Sequence, residues 1–314
     1  YHTSINKYNE FVKQFQFQFL VITQISYPLI IRNTKWQMAK RKREICDRCL
    51  KPTPQACICS ALPEPSELIN LLSSRVLVLQ HPHEAKRKNR SLPLIGLCMS
   101  TSSNSGETFD FNFETIVTKR LGDQIAQSHP KIIEFLHDPS NPVFLCYPSD
   151  DAISVQEAME RVKSQSKREG ENQHEQHYAI DNDLTQTENA VPMNVVRKKY
   201  TIIFIDATWK YAKEMDSKSI ENKSWPKHMI RIKLNPEKGE CGENFQPRRF
   251  DIRTPPSINH LSTAECIAHV LRIVEAGLGS KLGPERKDDI LFQTLMKPLD
   301  LMVKTWRSFS DKRK

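Results

Sequence analysis

The chain has 314 residues, a hydrophobic content of 38% and a formal net charge of +9 at pH 7. This length supports one large or two small domains with a hydrophobic core, and the excess of cations favours a polyanionic partner, nucleic acid ahead of a membrane surface. The sequence contains neither the G-x-G-x-x-G pattern of dinucleotide-binding folds nor the G-x-x-x-x-G-K-[ST] pattern of P-loop enzymes, which argues against both classes.

Residues 1–37 differ in composition from the rest of the chain. Their apolar stretch at 19–31 contains Thr23, Gln24, Ser26 and Pro28, and is too short and too interrupted to cross a bilayer. We expect residues 1–43 to be a disordered or non-native leader with a basic segment, and the natural chain to start at Met38. The four cations at 40–43 are also compatible with a nuclear-targeting signal, so we expect a nuclear and/or cytoplasmic protein.

The first ordered module is predicted at residues 44–63. It contains the four closely spaced thiols of Cys46, Cys49, Cys57 and Cys59. In a chain without a secretory signal, such spacing favours a tetrahedral zinc site over disulfides. Reduced or redox-active cysteines are the alternative. Four thiolates leave no open coordination position, so this Zn²⁺ would be structural and not catalytic.

Strand and helix patterns alternate through residues 70–309. The segments with the composition of strands are 75–80, 143–147, 200–205 and 229–234. The segments with the periodicity or caps of helices are 92–99, 210–218, 262–277 and 288–307. This alternation predicts an α/β fold with a mostly parallel sheet. The polar segment 160–199 is predicted to be a disordered insertion or a partly helical excursion, and residues 310–314 form a basic tail.

The strand at 200–205 leads directly into Asp206, Thr208 and Trp209. Ligand sites in α/β sheets lie beyond the carboxyl ends of such strands. A carboxylate, a hydroxyl and an indole at that position therefore indicate a functional site. The alternative is structural: Asp206 caps the following helix, and Trp209 packs in the core.

Two further loops are candidates for the site. His81-Pro82-His83-Glu84 follows the first strand; Pro82 argues against regular structure, and the spacing is not that of H-E-x-x-H, so a polar RNA-binding loop is favoured over a metal site. The other loop precedes the helix at 262, whose N-terminus suits an anionic group; an ordinary capped helix behind an exposed arginine is the alternative. The residues predicted to contact RNA are His81, Glu84, Lys86, Arg87, Arg90, Arg248, Arg249 and Arg253.

Taken in order, the cysteine module, His81-Pro-x-Glu84 with Arg87, Asp206-x-Thr-Trp209 and Leu261-Ser-Thr-x-Glu265 resemble the DTW-domain family. The resemblance covers about residues 46–306 and implies a SPOUT-like trefoil-knotted fold. It also implies a tRNA-uridine aminocarboxypropyltransferase, which moves the 3-amino-3-carboxypropyl group of S-adenosylmethionine to uridine N3. The chain departs from the family pattern at Cys146-Tyr147-Pro148 and in its polar insertion.

The resemblance also assigns roles to individual residues. Asp206 is the catalytic acidic residue, which either accepts the N3 proton or orients the substrate by hydrogen bonding. The residues that shape the pocket for S-adenosylmethionine are Thr208, Trp209, Leu261, Ser262, Thr263 and Glu265. The predicted partner is tRNA, with a uridine unstacked into the pocket; no membrane partner is predicted.

Two other functions stay open from the sequence. A SPOUT-type RNA methyltransferase would use the same donor and differ only in which carbon faces the nucleophile. A non-enzymatic, zinc-stabilised RNA-binding adaptor would explain the charge and the cysteines, but it gives no reason for Asp206-x-Thr-Trp209 at a strand end.

Overall fold

Six parallel strands form one sheet at the centre of the molecule. The computed structural model describes residues 44–100, 109–175, 199–235, 250, 252, 260–276 and 284–311. The strands are β1 (Ser74–Gln80), β2 (Phe113–Val117), β3 (Val143–Cys146), β4 (Ile153–Ser154), β5 (Tyr200–Asp206) and β6 (Ile230–Lys233), in the order β2-β1-β5-β3-β6-β4. The predicted α/β class with a mostly parallel sheet is therefore confirmed.

Helices connect these strands and cover both faces of the sheet. They are α1 (Pro82–Ala85), α2 (Leu92–Gly96), α3 (Asp123–Ser128), α4 (Pro130–His137), α5 (Val155–Glu175), α6 (Trp209–Glu221), α7 (Thr263–Ala276) and α8 (Pro284–Asp311). Two short 3₁₀ turns, Cys59–Ala61 and Pro65–Glu67, precede β1. Within the described ranges, no helix has the length and apolar character needed to span a membrane.

The two longest strands, β1 and β5, lie side by side in the middle of the sheet. Their register runs from Ser74 opposite Tyr200 to Gln80 opposite Asp206. Strands buried on both faces consist of continuous apolar runs, and the fully buried Ile202 and Ile203 of β5 contact opposite layers. The register is important for function because it brings the last residues of both strands to the same edge.

Each face of the sheet has its own hydrophobic layer. The first contains α7, α8 and the cysteine module, whose Cys49, Ile58 and Leu62 pack with the strand residues. The second contains α3, α4 and α6. The described residues all belong to one compact unit, residues 43–314. The predicted division into residues 44–63 and 70–309 stays a prediction.

Helix α7 is fixed to the sheet at both ends. At its start, Thr263 Oγ1 donates to Asp206 Oδ1 at the end of β5, at 2.7 Å. The helix start is itself held by a capping box, in which the Ser262 amide donates to Glu265 Oε2 at 2.8 Å and the Glu265 amide donates to Ser262 Oγ at 3.3 Å. Near its end, Glu275 accepts hydrogen bonds from the Leu72 and Ser73 amides at 3.1 and 3.2 Å. Helix α7 can contact both ends of the central strands because its 14 residues span about the same length, about 20 Å, as the seven residues of β1.

The structure corrects the expectation that Pro82 prevents regular structure. Residues 82–85 form the short helix α1, because proline at the first helical position lacks only an N–H that would have no partner in the helix. His81 occupies the N-cap, and its ring accepts a hydrogen bond from the His83 amide.

The insertion and the chain ends are described only in part. Helix α5 extends through residue 175, so the first part of the predicted insertion is a helical excursion, whereas residues 176–198 lie outside the described residues. The predicted leader at 1–43 and the end of the basic tail, 312–314, also lie outside them. Sequence patterns missed β2, α3 and α4, which are all shorter than nine residues.

Candidate functional site

Asp206 lies at the carboxyl end of β5 and is only 8% exposed. Gln80 Nε2 donates a hydrogen bond to its Oδ2 at 2.7 Å, and Thr263 Oγ1 donates to its Oδ1 at 2.7 Å. Each carboxylate oxygen therefore accepts a bond from a different element, β1 or α7. Hydrogen bonds of this kind fix the orientation of the carboxylate.

The sheet register explains how Gln80 reaches Asp206. The two residues are direct partners in the β1–β5 ladder, and the His81 amide donates to the Asp206 carbonyl at 2.9 Å. Sequence analysis did not select Gln80. Its only signal is its position as the last residue of the first strand, and strand order cannot be obtained from one sequence.

A cavity of about 390 Å³ opens beside Asp206. It lies where the ends of β3, β5 and β6 meet the start of α7. Its described lining residues are Cys146, Tyr147, Pro148, Phe204, Ile205, Ala207, Trp209, Ala212, Ile232, Lys233, Leu234, His260, Leu261, Thr263 and Cys266. A mainly apolar wall with a few polar groups, at this volume, is typical of small-molecule sites.

Trp209 is on the rim of this cavity and not in the core. Its side chain is 43% exposed, and the ring of His260 meets it edge-on at 4.7 Å between centroids. The structural alternative in which Trp209 packs in the core is therefore wrong. Thr208 is the N-cap of α6, without a side-chain capping bond.

The six residues predicted to bind the donor do not all reach the cavity. Trp209, Leu261 and Thr263 line it, whereas Thr208 is not among its described lining residues. Ser262 and Glu265 instead form the capping box of α7, and Glu265 is 2% exposed. The Leu261-Ser-Thr-x-Glu265 motif thus combines two residues that line the cavity with two residues that fix the start of α7.

The predicted RNA loop is more buried than a polar loop would be. His81 and Glu84 are each 4% exposed, and burial lowers the pKa of His81 below its ordinary value. Lys86 and Arg87 are exposed, with Arg87 3.2 Å from Glu84, and Arg90 is half-buried. Their RNA contacts stay predictions. The other three candidates, Arg248, Arg249 and Arg253, lie outside the described residues.

The four cysteines of the N-terminal module come together as predicted. Their Sγ atoms all lie within 4.8 Å of one another, with 3.4 Å between Cys46 and Cys59 and 3.8 Å between Cys49 and Cys57. Tetrahedral Zn–S bonds of about 2.3 Å require S···S distances of about 3.8 Å. The cluster could therefore hold a metal ion with little rearrangement.

The thiols of this cluster differ in acidity even without a metal. The Cys49 amide and the Cys59 thiol hydrogen-bond to Cys46 and lower its pKa to about 6. Burial, together with the neighbouring thiols, raises the pKa of Cys59 to about 12. A bound dication would favour the thiolate at all four positions.

Comparison with known proteins finds a matching family model and several similar proteins. Residues 43–307 match the family model described as "DTW domain". The chain is 26% identical over 264 residues to tRNA-uridine aminocarboxypropyltransferase 2 of Drosophila melanogaster, an alignment that covers 84% of this chain and 75% of that protein. No solved structure is significantly similar to the chain.

Two further relatives carry related names. The chain is 25% identical over 277 residues to tRNA-uridine aminocarboxypropyltransferase A of Arabidopsis thaliana, covering 84% of this chain and 86% of the relative. It is 23% identical over 265 residues to tRNA-uridine aminocarboxypropyltransferase 2 of Mus musculus, covering 84% of this chain and 63% of the relative.

Proposed function

The chain belongs to the DTW domain family, and we propose that it is a tRNA-uridine aminocarboxypropyltransferase. It would transfer the 3-amino-3-carboxypropyl group from S-adenosylmethionine to N3 of a tRNA uridine. The names of the relatives support the reaction class. The observation that carries the proposal is the buried Asp206, held by Gln80 and Thr263 beside a cavity of ligand size.

The volume of the cavity and its mainly apolar wall support a role as the S-adenosylmethionine site. Trp209, Leu261 and Thr263 would hold the donor, together with the apolar wall formed by Ile232 and Leu234. The bound donor supplies a methylene carbon that is activated by the adjacent sulfonium. Since the leaving group is already activated, the protein's main contribution is to align the reacting atoms.

Asp206 would act on the uridine. N3 carries a proton at neutral pH, and this proton has to leave when N3 forms its bond to carbon. An ionised carboxylate with a fixed orientation is a suitable acceptor for it. The hydrogen bonds from Gln80 and Thr263 hold the Asp206 carboxylate in one orientation.

We further propose that the cysteine module binds one structural Zn²⁺. The thiol distances and the burial of Cys49 support this role. Coordination by four thiolates would hold the module in the conformation that packs in the first hydrophobic layer. It would also leave no coordination position for a catalytic water.

The SPOUT-like trefoil knot is also part of the proposal. What supports it is the convergence of the loops after β3, β5 and β6 with the start of α7 at one cavity. Lys86, Arg87 and Arg90, together with Arg248, Arg249 and Arg253, would contact the RNA backbone.

Mass spectrometry of unmodified tRNA, incubated with the protein and S-adenosylmethionine, tests the reaction. We expect a uridine mass gain that matches aminocarboxypropyl, with release of methylthioadenosine. A mass gain that matches a methyl group would instead indicate an RNA methyltransferase. If the protein binds tRNA but leaves it unmodified, the result would favour a non-enzymatic RNA-binding adaptor.

Asp206→Asn tests the assigned residue. The amide keeps the size of the side chain but is a poor proton acceptor, so we expect transfer to fall by at least about 100-fold, within the range of general-base contributions. Asp150→Asn, an exposed residue in the turn after β3, is the matched control and should keep full activity. Wild-type turnover by Asp206→Asn would reject its role.

A further inference from the structure

Three aromatic rings lie nearly parallel at the carboxyl edge of β1. The rings of His81 and Tyr211 are 4.2 Å apart between centroids with an interplanar angle of 9°. The ring of His83 lies 5.1 Å from Tyr211 at 4° and 5.2 Å from His81 at 11°. We call the rings of His81, His83 and Tyr211 the ring platform.

The ring platform is next to Asp206. The amide of His81 donates to the Asp206 carbonyl at 2.9 Å, and Tyr211 is in the first turn of α6, two residues after Trp209. A nucleobase on the platform would therefore be a near neighbour of a uridine whose N3 reaches Asp206.

The members of the platform differ in exposure. His83 is exposed and Tyr211 is half-buried, whereas His81 is 4% exposed. Burial lowers the pKa of His81, which favours the uncharged ring, and this ring packs against Tyr211. The outer rings can thus contact a ligand while the inner ring fixes their positions.

The charges around the platform suit a polyanion. The exposed Lys86 directly follows the helix that contains His83, and the exposed Lys119 is close enough to act on the charge of His81. Lys210 and Lys213, which flank Tyr211 in α6, are also exposed. Glu214 also faces His81, but it forms an ion pair with Lys218. The turn on the opposite flank, after β3, exposes Asp150 and Asp151.

We propose that His83 and Tyr211 stack a base of the nucleotide adjacent to the target uridine in single-stranded tRNA. The inference rests on the proposed function and names the part of the substrate that the enzyme contacts outside its cavity. Extruding a uridine costs stacking energy in the RNA, and a ring that stacks its neighbour offsets this cost. Stacking on aromatic side chains tolerates any base, whereas the surrounding cations contact phosphates.

Binding of an unmodified tRNA transcript gives the first test. Loss of one base-stacking contact corresponds to about 5- to 150-fold weaker binding, and we expect a loss in this range for His83→Ala and for Tyr211→Ala. Tyr211→Phe keeps the ring and should bind like the wild type. His137→Ala, an exposed histidine at the end of α4, is the control for a histidine elsewhere.

A fluorescent probe tests the stacking itself. In a pentaribonucleotide with a central uridine flanked by 2-aminopurine on both sides, stacking on the protein quenches the fluorescence. We expect quenching by the wild type and Tyr211→Phe, and bright complexes with Tyr211→Ala and His83→Ala. Because His83 is exposed, its variant remains informative if Tyr211→Ala fails to fold.

Unchanged tRNA affinity and unchanged quenching in both alanine variants would overturn the platform, even if the wild type modifies tRNA normally. If the wild type binds and quenches the probe but transfers nothing, the platform stands and the proposed reaction fails. The two hypotheses are therefore distinguished by separate readouts.

Discussion

Thr263 links the two parts of the candidate site at the level of single atoms. Its hydroxyl donates to Asp206, and its side chain also lines the cavity. A donor molecule that displaced the start of α7 would therefore also displace a hydrogen-bond partner of the Asp206 carboxylate. The residue is the first of α7, where the adjacent capping box holds the backbone in place.

Thr263→Val removes the hydroxyl and keeps the shape of the side chain. A hydrogen bond to a charged group contributes about 1.5–3 kcal/mol, so we expect a loss of stability of this order and transfer slower by about tenfold or more. Thr263→Ser retains the hydroxyl and should restore both. Denaturant unfolding measures the loss of stability, and single-turnover experiments measure the transfer rate. A valine variant with wild-type kinetics would show that Asp206 does not need the hydrogen bond from Thr263.

Local sequence motifs predicted some site residues and missed others. Asp206 and Trp209 could be selected because the end of β5 is visible in the sequence, whereas Thr263 was assigned by resemblance. Gln80 could not, because its role depends on β1 lying next to β5, a pairing between residues 126 positions apart. Ser262 and Glu265 were assigned to the donor by resemblance, but their side chains are engaged in capping α7.

At the level of elements, the cysteine module depends on its contacts with the rest of the fold. Cys49 and Ile58 are buried in the same layer as α7 and α8. A short segment cannot form its own core, and the proposed Zn²⁺ would hold it in the conformation that fits this layer. The clustering of the four cysteines was predicted correctly because their spacing is entirely local.

Metal analysis of the purified protein should find one zinc per chain. Cys49→Ser should lose the metal and lower the midpoint of thermal unfolding by about 10 °C or more, since each kcal/mol shifts it by about 2–4 °C in a domain of this size. Zinc affinity should also fall as the pH falls, because protons compete for the thiolates.

Cys98→Ala is the control for a cysteine outside the cluster. Burial raises the pKa of the Cys98 thiol to about 12, and its Sγ donates to the Leu94 carbonyl at 3.3 Å. It should therefore keep the zinc while losing some packing. A protein that contains no zinc and is indifferent to chelators would contradict the structural role of the metal.

For the whole molecule, the sequence predicted the α/β class but not the arrangement of the strands. Alternating strand and helix patterns were sufficient for the class, and the bounds of β1 and β6 agree with prediction to within a residue. The order β2-β1-β5-β3-β6-β4 depends on long-range contacts. Strand β2 was missed because Glu114 and Thr115 interrupt its apolar residues, so that it contains no continuous apolar run.

The net charge of +9 should make tRNA binding strongly dependent on salt. Lys86→Gln removes a cation beside the ring platform, and we expect uniformly weaker binding and a salt slope smaller by about one. Lys163→Gln makes the same charge change on the exposed side of α5. Equal slopes for the two variants, measured from 50 to 200 mM salt, would place the RNA elsewhere.

The double anchoring of α7 has a consequence for protein synthesis. A ribosome produces β1 and β5 long before the helix whose Thr263 contacts Asp206 and whose Glu275 contacts Ser73. A nascent chain that ends before residue 263 therefore contains Asp206 but lacks one of its hydrogen-bond donors and one wall of the cavity. Premature termination before α7 would release an inactive product and not a partly active enzyme, so tRNA modification would require translation to continue past this helix.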